Sequence, residues 1–88
     1  MEDFKALKKE ILSREFKKFG ERKIMLELQI ALQRELDPEE MSAKKPLQYN
    51  NAGQPISYEK IKRKEHIVIL EKELEDIVLV LKIIKDLE

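Results

Sequence analysis

The densest chemistry in this chain lies between Lys60 and Asp76. Lys60, Lys62, Arg63 and Lys64 place four cations in five positions, a cluster of the kind that holds phosphate and marks nucleic-acid contact. Two residues further on stands His66, the sole histidine. Glu71, Glu73, Glu75 and Asp76 follow, carboxylates that could ligate a metal from the inner face of a helix bundle. Each group falls short of what its chemistry needs. Glu59 and Glu65 break the basic run, and no aromatic set is spaced for base stacking. Di-metal bundles use Glu-x-x-His, whereas the residue three before His66 is Arg63. A Ser-His-Asp arrangement would need Ser13, Ser42 or Ser57 brought to His66 from a distance. With no cysteine, thiolate metal sites and disulfides are both excluded. The chain therefore reads as a non-enzyme with no catalytic residue, no metal site and no cofactor.

The elements that carry these residues follow from the period of the apolar ones. Residues 3–36 hold no proline and one glycine, and their apolar residues recur at spacings of three and four, the helical period. Gly20 interrupts this helix only weakly, with no proline or asparagine beside it, so one continuous or bent helix is expected. Asp37-Pro38 stops it, because a proline pushes the residue before it out of the α region. Asp37 also suits a helix N-cap, which would start a single turn through Ala43. Residues 37–57 read as a polar loop, with turn chemistry at Asn50, Asn51 and Gly53. Ser57 then caps a second helix over 58–87. Its seam of Ile67, Leu70, Leu74, Ile77, Leu81 and Ile84 alternates spacings of three and four, a heptad pattern. In the first helix, Ile24, Leu28 and Leu32 are assigned to the same core or dimer seam.

These elements predict an all-α protein: one domain, residues 1–88, forming a long antiparallel helical hairpin. At this size a core is small and usually needs a staple. The residues 24–32 and 77–84 are apolar on more than one side, so two such hairpins are expected to close into a homodimeric four-helix bundle. Net charge is zero, but it is distributed in blocks. Residues 1–23 carry eight bases and five acids (net +3), and residues 24–43 carry one and five (net −4). Residues 44–66 carry six and two (net +4), and residues 67–88 carry three and six (net −3). Folding the chain at its middle sets opposite signs side by side, which favours antiparallel helices.

The function expected from this pattern is protein–protein interaction: a small dimeric regulator, inhibitor or assembly factor. The alternative is nucleic-acid binding through Lys60, Lys62, Arg63 and Lys64 at the start of the second helix. Tyr49, Asn50 and Asn51 are a further candidate contact at the loop tip, since Tyr is favoured at interfaces. The acidic opening Met1-Glu2-Asp3 and the lack of a long apolar run argue against a signal peptide or membrane span, so a cytoplasmic protein without membrane contact is expected.

Overall fold

The computed structural model describes residues 2–87 and contains two helices joined by a β-hairpin. The order is α1 (Glu2–Arg34), β1 (Met41–Tyr49), β2 (Pro55–Lys62) and α2 (Arg63–Leu87). The all-α expectation is therefore overturned, and with it the helical hairpin and the four-helix bundle: the segment read as a polar loop is a two-stranded antiparallel sheet. The helices, of 33 and 25 residues, make up about two thirds of the chain, short of the three quarters that helices over 3–36 and 58–87 require.

Helix α1 runs through Gly20 without a break. Its last turn tightens as the Glu35 and Leu36 amides donate to Leu32 and Gln33 carbonyls at 3.3 and 3.2 Å, i to i−3 bonds that satisfy part of the carbonyl end. Asp37 does cap, but it caps a turn and not a helix. Its Oδ1 accepts from the Glu39 amide at 2.9 Å, and strand β1 begins at Met41.

The hairpin is made by its turn. The Asn50 amide donates to the Gln54 carbonyl at 2.9 Å, and the Gly53 amide donates to the Asn50 carbonyl at 3.0 Å. Asn50 Oδ1 accepts from the Ala52 and Gln54 amides, both at 2.9 Å. Gly53 sits at φ +78°, the left-handed conformation that glycine adopts without a Cβ penalty. This is a type I turn closed by a left-handed glycine, a common hairpin connection. From it the strands pair Lys45 with Glu59, Lys44 with Lys60 and Ala43 with Ile61, with irregularities that leave Ser42, Leu47 and Ile56 unpaired. Pro46 and Pro55 lie within strands, which a two-stranded sheet tolerates because both its strands are edges. Ser57, expected to cap α2, is a β2 residue opposite Gln48.

The helices pack antiparallel. Gln33 meets Arg63, and Arg22 meets Glu73 further along. Leu26, Ile30, Leu70 and Ile77 form the core, with Phe19, Ile67, Leu74 and Leu81 packed around it. Five of the six α2 seam residues thus face this core, and the sixth, Ile84, is buried beyond it. Ile24, Leu28 and Leu32 do not: they are exposed, and the α1 positions facing α2 are Leu26 and Ile30. Principal extents of 55 × 36 × 14 Å describe a flat molecule. Its radius of gyration, 17.4 Å, exceeds the ~12 Å of a compact domain of this length.

Candidate interaction surface

Structure redistributes the basic run among three different jobs. Lys60 and Lys62 belong to β2, Arg63 is the first residue of α2, and Lys64 lies in that helix's first turn. The patch is therefore not a helix start. Cations are also unfavourable at a helix N-terminus, and the loop between α1 and β1 offsets this. The Arg63 amide donates to the Glu40 carbonyl at 2.7 Å, and the Lys64 amide donates to the Pro38 carbonyl at 3.0 Å, satisfying two donors that no helix can satisfy internally. Lys62 and Lys64 Nζ donate to the two carboxylate oxygens of Glu39 at 2.9 and 2.8 Å. Those bonds, from Lys64 first and Lys62 second, pull the Glu39 carboxyl down to about 2. The bond to Glu39 in turn pushes Lys62 up.

Arg63 is the centre of this junction and the one buried charged side chain among the described residues, at 7% exposure. Its Nε donates to Gln33 Oε1 at 2.7 Å, and its Nη1 donates to the Asp37 carbonyl at 2.7 Å and to Glu40 Oε2 at 3.0 Å. One guanidinium thereby ties together the end of α1, the connecting loop and the start of α2, using the fixed fork that lysine lacks. Nothing in the spacing of the basic run marks Arg63 apart from its neighbours. Among the described residues Lys60 alone of this run has no acidic partner, and it faces Lys44 across the strands, like charges set opposite each other.

Three of the four acidic residues singled out on α2, all but Glu75, are also engaged in pairs. Glu71 pairs with Arg34, Glu73 with Arg22 at 2.7 Å, and Asp76 with Lys72 at 3.1 Å. Among the described residues no three His, Cys, Asp or Glu groups converge as a metal site would require. His66 Nδ1 and Ser42 Oγ are each buried without a hydrogen-bond partner among the described residues, so these two atoms do not form a Ser–His pair. Tyr49 ends β1 while Asn50 and Asn51 lie in the turn. The Asn50 side chain is occupied in shaping that turn, which leaves exposed Tyr49 as the apolar feature of the tip.

The surface most in want of a partner is apolar. Phe4, Leu7, Ile11, Met25, Leu28 and Leu32 stand exposed on α1. Helix α2 adds Val78, Leu79, Ile83 and Leu87, and the hairpin adds Met41, Leu47, Ile56 and Tyr58. Among the described residues no helix is long and apolar enough to cross a membrane. No family model, curated protein or solved structure matches this chain.

Proposed function

We propose that the chain is a non-enzymatic protein–protein interaction module, a small cytoplasmic regulator, inhibitor or assembly factor that works as a homodimer. The observation that carries this reading is surface area. The chain exposes 7329 Å², whereas a compact monomer of 10.5 kDa exposes ~5,400 Å². The excess is larger than the ~800 Å² that each partner buries in a standard interface. Large apolar side chains on both helices and the hairpin contribute to that excess, and exposed apolar patches mark interaction surfaces. Nucleic-acid binding through the basic run is the weaker reading, because Lys62, Arg63 and Lys64 already have acidic partners.

Photo-crosslinking tests the proposal. Benzoylphenylalanine at Leu28 or Leu79, in cells expressing the full chain, is expected to give discrete protein adducts. Absence of adducts at both positions would overturn the reading. Generic DNA gives the opposing test: binding that falls steeply between 50 and 200 mM salt would move the function to nucleic acid.

A further inference from the structure

We propose that α1 carries a second seam, and that its occupant is α1 of another copy of this chain, running antiparallel. This rests on the interaction-module reading and names its surface. The first seam of α1, through Phe19, Leu26 and Ile30, faces α2. At 100° per residue, Met25 lies about a third of the way round the helix from it. Through Met25 runs a second series at alternating spacings of three and four. Phe4, Leu7 and Ile11 form its start, Arg14, Lys18 and Glu21 its middle, and Met25, Leu28 and Leu32 its end. That is four heptads of a and d positions, every member exposed in the single chain. It explains why α1 has little net amphipathicity: two apolar stripes on different sides cancel.

The charged middle selects the partner and its direction. Arg14, Lys18 and Glu21 have no ion-pair partner among the described residues; Lys18 only overlies the neighbouring Phe19 ring, 5.7 Å from its centroid. In a parallel pairing each would meet its own copy, like on like. In an antiparallel pairing a positions meet d positions, and one register sets Lys18 against Glu21 of the second copy, twice by symmetry. The same register places Leu7 against Leu32 and Ile11 against Leu28, apolar on apolar on both sides of the centre, while Phe4 falls opposite Glu35, just past the end of α1. Arg14 then lies against Met25, where its aliphatic stem can cover the thioether while its head reaches water. Apolar flanks and an oppositely charged pair near the centre make a surface complementary to itself under a two-fold axis, as an isologous dimer requires.

Sedimentation equilibrium on the full chain tests this, with circular dichroism to verify folding; Lys18 and Glu21 are exposed and have no ion-pair partner among the described residues, so their replacement breaks no ion pair there and costs only the contact of Lys18 with the Phe19 ring. The wild type is expected at twice the 10.5 kDa chain mass at micromolar concentration. Lys18→Glu, which turns both central pairs repulsive, should weaken the dimer roughly tenfold, and adding Glu21→Lys should restore it. A wild type that is monomeric at 100 µM overturns the proposal, as does a Lys18→Glu dimer of unchanged or greater strength. Direction is read separately, because the chain has no cysteine of its own. Ile11→Cys mixed with Leu28→Cys should join through a short bis-maleimide. Neither should join to itself, since like positions lie about 25 Å apart in this register. Self-joining of either variant overturns the antiparallel seam. A monomer that still gives adducts to another protein in cells defeats this inference and leaves the broader function standing; no adducts at all defeats both.

Discussion

Replacing Arg63 by Ala should be the most damaging single charge removal in the molecule. The side chain makes three hydrogen bonds from a nearly buried position, to Gln33, Asp37 and Glu40. Bonds from a charged donor contribute about 1.5–3 kcal/mol each when isolated from solvent. Here the acceptors discount that figure. The Glu40 side chain is 62% exposed and Asp37 is exposed, so water replaces the guanidinium at both; only Gln33 is half-buried. Taking one bond near full value and two at the solvent-screened end gives a loss of about 2–4 kcal/mol. For a domain of this size each kcal/mol moves the midpoint by about 4–8 °C, so thermal unfolding followed at 222 nm should shift down by about 8–32 °C. Arg63→Lys should recover part of this and not all, since a single ammonium nitrogen cannot stand where both Nε and Nη1 of the guanidinium do. The loss should persist in 1 M NaCl, unlike that of an exposed pair. Protein concentration must be held constant, because self-association raises apparent stability by mass action. A shift below about 3 °C for Arg63→Ala would refute the assignment of Arg63 as the junction's tie.

Acid titration should single out Glu39. Its folded-state pKa is depressed to about 2, so its stabilising contribution is present above the unfolded-state value near 4.5 and is lost as pH falls toward 2. Melting curves of wild type and Glu39→Gln should therefore converge across that interval, and a constant gap would show that the two lysine bonds carry no stability. Leu26→Ala, at a fully buried position, should cost about 2–5 kcal/mol, while Ile24→Ala, at 65% exposure, should stay within about 0.5 kcal/mol. Equal losses in urea titrations would contradict the placement of the helix interface. The two glycines should respond with opposite signs. Gly20→Ala, in mid-helix with open space around it, should stabilise by about 0.5–1 kcal/mol. Gly53→Ala, at φ +78°, should destabilise by about 1 kcal/mol, and the same sign for both would refute the turn geometry.

How much of this was legible in the residues differs between the two helices. Helix α2 could be read because its apolar residues concentrate on one face, so Ile67 through Ile84 name their own seam. Helix α1 could not, because Leu26–Ile30 and Met25–Leu28–Leu32 are equally periodic, and only the packing shows which stripe α2 takes. The hairpin has a local signal in its turn, though none in its strands. Asn50-Asn51-Ala52-Gly53 is hairpin turn chemistry, but prolines in both flanking segments argue against strands, and that argument loses its force in a sheet made wholly of edges. Ser57 is good cap chemistry as well, which points to a start for α2 at residue 58, five residues before Arg63. The role of Arg63 had no local signal at all, since its acceptors are a loop carbonyl and side chains 23–30 positions away.

The hairpin also bears on how the chain reaches its fold. Helices α1 and α2 are separated by residues 35–62, a span of 28. Closing a flexible loop costs chain entropy that grows with the logarithm of its length. The turn at Asn50–Gln54 is built entirely from neighbours, and once it has zipped Met41 against Lys62, only residues 35–40 remain to be closed. On the logarithmic law that shortening lowers the closure cost by about 1.4 kcal/mol. The strands thus act as a reversible clasp, doing for the unfolded chain some of what a cross-link does in a cysteine-bearing protein of this size. A chain that lost the clasp would keep both helices and their seam, but would have to find the pairing through a longer search.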